Sequence, residues 1–148
     1  MPYVYSFLAL LAAILVLSIP YLISERLIRK KVNKVFAGRE SLRAEEFHEK
    51  YFASQGIPLY VVLGVKKVLE RELNADFSRA SSEDDLLTNL NFFYQHDSLA
   101  DVNIVLGLEE EFGIELPDSA LANMTSASID EIVSLVWSQL SNVRATTC

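Results

Sequence analysis

Apolar side chains fill the start of the chain: no charged residue occurs from Met1 to Ser24, and Val4 to Ile23 read VYSFLALLAAILVLSIPYLI. Twenty helical residues rise about 30 Å, the thickness of a bilayer's hydrocarbon, so residues 4–23 are expected to form a membrane-crossing helix. Tyr3, Tyr5 and Tyr21 lie near its ends, where amphipathic rings prefer the interface, and Pro20 is expected to kink or end it. Arg26, Arg29, Lys30, Lys31 and Lys34 come next; by the positive-inside bias they place the rest of the chain in the cytoplasm. A cleaved signal peptide fits less well, because the run is long, lacks a basic residue ahead of it and lacks an Ala-x-Ala-like exit.

Beyond the basic cluster the period becomes amphipathic. Gly38 to Ser54 is charged, with Phe47, Tyr51 and Phe52 at near-helical spacing, which predicts a linker helix whose aromatic stripe docks on the domain C-terminal to it or, alternatively, on a partner. Gly56 and Pro58 break the chain. Val61, Val62, Val65, Val68, Leu69 and Leu73 then keep a 3.6-residue rhythm and predict a helix over Leu59 to Leu73. Asn74 to Gln95 is a long connection, first polar and Ser/Asp-rich, then carrying Leu86, Leu87, Leu90, Phe92 and Phe93, an apolar content that predicts packing over the core. A second helix is expected from Asp97 or Ser98 to Phe112, with Leu99, Val102, Val105, Leu106, Leu108 and Phe112 as apolar contacts and Gly113 as its stop. A short helical turn is expected at residues 119–123. The last helix is the clearest: Ile129, Ile132, Val133, Val136, Trp137 and Leu140 share one face, and Ser128 with Glu131 has capping-box spacing. No alternating strand pattern competes, so the soluble part reads as all-α.

Charge divides the chain. Residues 1–50 carry eight Lys/Arg against five Asp/Glu, whereas residues 51–148 carry five against fifteen, within a net charge of −7. An acidic domain repels phosphates, which excludes a nucleic-acid partner and points to basic protein surfaces. Cys148 is the single cysteine and His48 and His96 the only histidines, so neither a disulfide framework nor a zinc site is expected. The Asn123-Met124-Thr125 sequon is silent in a cytoplasmic setting. No Gly-rich phosphate loop or calcium-loop spacing occurs, and no nucleophile is paired by spacing with a base, so the chain is not expected to be an enzyme.

One stretch carries chemistry. Asp97-Ser98-Leu99, then Glu109-Glu110-Glu111-Phe112-Gly113, then Ile114-Glu115-Leu116-Pro117-Asp118 stand without a gap over residues 97–118. This stretch resembles helix two and the adjoining loop of acyl carrier proteins, and the helical pattern extends the resemblance from about Leu59 to Leu140. The resemblance implies that Ser98 bears 4′-phosphopantetheine, whose thiol holds acyl groups as thioesters. It also implies that Asp97, Leu99, Asp101, Glu109, Glu110 and Glu111 meet basic docking patches on a phosphopantetheinyl transferase and on acyl-processing enzymes. A phosphodiester on Ser98 would gain from the positive end of a helix. The plain alternatives are that Asp97 or Ser98 is an N-cap and that the acids form a solvated face. The chain departs from the family's pattern upstream, where the usual Asp-Leu-Gly-x approach is replaced by Asn89-Leu90-Asn91-Phe92-Phe93-Tyr94-Gln95-His96, which is bulkier and lacks the glycine. Asp101 and Asn103 replace the more usual Thr or Val and Glu.

The expected fold class is therefore all-α, with a single N-terminal transmembrane helix followed by an acyl carrier protein-like four-helix bundle. Its divisions would be residues 1–24 as anchor, 25–57 as basic juxtamembrane segment and linker helix, 58–143 as carrier domain and 144–148 as tail. The expected function is a membrane-tethered carrier for lipid or polyketide-type biosynthesis. The alternative is an unmodified adaptor of the same fold that docks basic partners through its acidic helix.

Overall fold

The computed structural model describes residues 2–119 and 126–146, and these are mostly helical. The first helix, α1 (Pro2–Val35), is a single element of 34 residues that passes through Pro20. Its Leu- and Ala-rich first half favours helix intrinsically, and Lys34 in the last turn complements the negative end of the dipole. The two halves differ in their surroundings. Phe7, Leu8, Leu15 and Ile19 are exposed, whereas Val32, near the end of the helix, and Phe36 just after it are buried in the core. Polar contacts fix that docked end: Asn74 donates to the Glu25 carboxylate at 3.1 Å, Arg79 donates to the Asn33 amide oxygen at 2.6 Å, and the Lys31 ammonium lies 5.7 Å from the centre of the Phe92 ring.

This arrangement corrects the expected anchor. Among the described residues no helix is long and apolar enough to cross a membrane, so neither the transmembrane helix at residues 1–24 nor the single-pass placement stands. The physical reason lies in the continuity of α1: the apolar stretch runs without a break into Glu25 and the basic residues, and that continuation is held by the core. The expected bundle is corrected with it, because the core does not begin at residue 58 but includes Val32, Phe36, Phe47 and Phe52.

Helix α2 (Ala44–Tyr51) starts at Arg43, whose backbone N–H donates to Glu46 Oε2 at 2.8 Å while its guanidinium grips the other carboxylate oxygen at 2.9 Å. Phe47 and Phe52 are buried and 5.8 Å apart between ring centres, so the aromatic stripe docks on the domain. A 3-10 turn, Ala53–Gln55, and Pro58 lead into α3 (Leu59–Leu73), which Asn74 ends in the left-handed conformation at φ 46°. Helix α3 is central, touching α2, α5 (Ala100–Phe112) and α6 (Ile129–Thr146). Two glycines permit the close α3–α5 approach. A Cβ on Gly64 would sit 2.4 Å from the Phe112 ring, and one on Gly107 would sit 2.9 Å from Val68.

The connection from α3 to α5 is packed throughout. Phe77, Leu86 and Leu90 are buried, and a five-residue helix, α4 (Phe92–His96), buries Phe92 and Phe93. The aromatic rings converge here: Phe77 lies 5.9 Å from Phe36 and 6.2 Å from Phe93. Of the residues that separate this chain from the family's pattern, Leu90, Phe92 and Phe93 therefore belong to the core. Asp84 and Asp85 are also buried. Asp84 accepts from Arg39 at 2.6 Å, from the Asn89 amide at 2.7 Å and from the Ser81 N–H at 2.7 Å. Asp85 accepts from the N–H groups of Leu87 at 2.6 Å and Ala127 at 3.3 Å. Backbone bonds from Leu86 to the Ala127 carbonyl and from Ile129 to the Asp84 carbonyl tie this loop to the start of α6. Ser128 caps α6 by accepting from the Glu131 N–H at 3.2 Å; Glu131 in return accepts from Ser126, two residues before the cap. The turn expected at residues 119–123 falls, beyond Ser119, outside the described residues, as do the Asn123 sequon and Cys148.

Candidate functional site

Ser98 lies in the turn between α4 and α5, and it is exposed. The helix starts later than the pattern suggests, at Ala100, because Asp97 bends the chain first. Its carboxylate accepts the Leu99 N–H at 2.9 Å, and its carbonyl accepts the Ala100 N–H at 3.2 Å. Local side-chain bonds of this kind compete with helix and favour turns. The capping residue is Leu99, without a side-chain bond, so Ser98 is not the N-cap. Among the described residues its hydroxyl makes no hydrogen bond. His96, two residues away, is exposed and does not reach it.

Around Ser98, α5 has two apolar faces. Ile104 and Leu108 point into the core, whereas Leu99, Val102 and Leu106, at spacings of three and four, are 60%, 48% and 57% exposed. The sequence pattern counts Leu99, Val102, Leu106 and Leu108 alike as apolar contacts and passes over the buried Ile104. The signal that separates them is a second stripe at helical spacing, offset from the first. Val102 and Leu106 thus join the candidate surface beside Leu99.

The acidic residues separate into two groups. Asp97 and Asp101 are exposed at the start of α5, with Asp101 accepting the Val102 N–H at 2.8 Å. At the other end, Glu109 reaches back to accept the Leu116 N–H at 2.8 Å and folds the segment after Gly113 onto the helix. Glu111 holds the Lys67 ammonium with both oxygens, at 2.8 and 2.9 Å. Glu110 is exposed, with Arg71 at a distant 3.9 Å. Of the three consecutive glutamates, one stabilises the fold, one pairs across to α3 and one faces outward.

A groove of about 450 Å³ opens one helical turn from Ser98. Its apolar walls include Leu86, Val102, Leu106 and Leu135; Tyr94, Asp101 and Asp118 supply polar groups. Burial first, then the Asp101 and Asp85 carboxylates, push the Tyr94 phenol up to about 12, so it stays protonated over the ordinary pH range. Among the described residues no cluster of three His, Cys, Asp or Glu could hold a metal ion.

The residues present fit a phosphodiester on Ser98 in two respects, an exposed, unbonded hydroxyl and nearby apolar surface; the helix start is adjacent, with its Leu99, Ala100 and Val102 N–H groups already held by Asp97 and Asp101. The comparisons add nothing to this geometry. No family model matches the chain and no solved structure matches it, so the likeness to acyl carrier proteins rests on residues 97–118 alone.

Proposed function

We propose that this protein is a carrier whose Ser98 hydroxyl accepts a phosphopantetheine arm, on which acyl groups travel as thioesters between partner enzymes. The observation that carries this reading is the exposed, unbonded Ser98 hydroxyl beside an apolar groove. In the attachment step the Ser98 oxygen forms a bond to the phosphorus of coenzyme A that bears pantetheine. The bridging bond to adenosine 3′,5′-bisphosphate breaks, and the hydroxyl proton passes to a base on the transferase. The arm, once bound, supplies a thiol for thioester chemistry. The chain's own contribution is to present the oxygen, to favour its phosphodiester at the start of α5 and to offer apolar surface nearby.

Partners would meet α5 through Leu99, Val102 and Leu106, an apolar centre flanked by Asp101 and Glu110. Such an apolar centre with a charged rim suits recognition, the charges steering encounter with basic patches more than adding affinity. A transferase and acyl-processing enzymes are the partners this surface suits. On this reading the protein serves as a carrier and substrate of its partner enzymes, with the chemistry performed by them.

The exposed stripe on α5 also favours a second reading, an unmodified adaptor that docks a partner through the same face. Intact mass after incubation with coenzyme A and a broad-specificity phosphopantetheinyl transferase separates the two. The carrier reading expects one phosphopantetheine-sized increment, absent from Ser98→Ala. No increment, together with a Ser98→Ala protein that still captures its partner, leaves the adaptor.

A further inference from the structure

Tyr94 is, with Asp118 and Ser126, a polar residue of the groove that the proposed function leaves unused. It lies four residues before Ser98, in the short α4, and lines the groove together with Val102 of α5. Its neighbours on α4, Phe92 and Phe93, are buried in the aromatic cluster, so the backbone that carries Tyr94 is firmly held. The ring is half-buried, and its hydroxyl donates to nothing among the described residues. No fully buried side-chain oxygen or nitrogen lacks a partner among them, so the phenol oxygen keeps some exposure on a residue that lines the groove. A half-buried hydroxyl loses part of its hydration without replacing it, and a ligand oxygen placed there restores the bond. Because the phenol is held protonated, it acts as a donor. Asp101 and Asp118, also on the lining, disfavour an anionic acceptor by like-charge repulsion.

We propose that Tyr94 is a specificity-determining residue of this groove: its hydroxyl donates a hydrogen bond to an uncharged oxygen on the acyl chain held there, favouring an oxygenated chain over a bare hydrocarbon chain of equal length. The inference rests on the carrier reading of Ser98. It adds the class of cargo. A hydrocarbon chain occupying the groove leaves the phenol with neither water nor partner, whereas a chain carrying a carbonyl a few atoms from its thioester satisfies it.

The test loads the full chain with butyryl- or 3-oxobutyryl-phosphopantetheine from the corresponding coenzyme A thioesters. It then tracks loss of each acyl group by thioester hydrolysis at mildly alkaline pH in wild type and in Tyr94→Phe, with melting temperature as a second readout. A net bond of ordinary strength predicts that the wild-type groove slows release of 3-oxobutyryl by roughly five-fold relative to Tyr94→Phe. Butyryl release should be no slower from wild type than from Tyr94→Phe, whose unchanged far-UV circular dichroism reports that it keeps its fold. The 3-oxobutyryl chain should raise the wild-type melting temperature more than it raises that of Tyr94→Phe. Equal 3-oxobutyryl release from both proteins overturns the role of Tyr94 while leaving the carrier reading intact. Failure of either thioester to load on Ser98 removes both together.

Discussion

Two acidic stretches of this chain have similar composition and opposite fates. Asp84 and Asp85 sit in a polar connection yet are buried, each holding one donor from a distant part of the chain beside local ones. Asp97 to Glu111 lie on a helix, and there Asp97, Asp101 and Glu110 remain exposed while Glu109 and Glu111 turn inward to structural partners. A carboxylate leaves water only where donors replace its hydration, so its role is set by which donors the fold brings to it.

That contrast can be broken experimentally. Asp84→Ala should have the largest effect: it leaves Arg39, Asn89 and the Ser81 N–H without their shared acceptor and should cost about 3 kcal/mol, the lower end for a buried pair because Arg39 is partly exposed. Urea denaturation reads this as a lower midpoint at an unchanged slope. Glu109→Ala comes next. Loss of the Leu116 N–H acceptor should cost about 1–2 kcal/mol by the same measurement, an effect expected of a structural residue and not of a free docking charge.

Tyr94 connects the two stretches, since Asp101 and Asp85 both add to the effect of burial on its phenol. The folded phenol ionises near 12 against its usual 10.0, so below pH 10 both states are protonated and stability is unaffected. As pH rises from about 10 to about 12 the unfolded phenol gives up its proton first, and stability falls. With the ring only half-buried the loss should be about 1 kcal/mol, after discounting for solvent, and Tyr94→Phe should lack it. The phenolate absorbance of Asp101→Asn should show the Tyr94 midpoint lowered but still above 10.0, because burial is the larger cause.

The smallest effect belongs to Glu111. A double-mutant cycle with Lys67 should give about 0.5 kcal/mol, since the ammonium is largely exposed, and Glu110→Gln should leave stability unchanged while weakening partner binding at low salt.

Legibility in the sequence depends on the range of the interactions involved. The bounds of α3 are plain from Pro58 and an apolar rhythm, and the stop at Gly113, with φ 62°, is plain from the residue type. These are local effects. The burial of Asp84 is not local: Arg39 lies 45 residues away, and the Ala127 N–H that holds Asp85 lies 42 residues away. Helix α4 is too short to show a period, and its aromatic residues read as a bulky approach to Ser98 because the ring of Phe77 that stacks on Phe93 comes from elsewhere. At α5 the apolar positions are visible but their two faces are not, since Leu106 and Leu108 look alike until the packing of α3 chooses between them. The first helix teaches the reverse lesson. Its apolar and basic runs read as an anchor and a linker, yet they share one continuous helix whose far end belongs to the core.

The central claim concerns one oxygen. Fragmentation mass spectrometry of the full chain, after incubation with coenzyme A and a broad-specificity transferase, should place a single phosphopantetheine-sized increment on Ser98 and on no other serine. An unmodified Ser98, or an increment carried by another residue, would contradict the account.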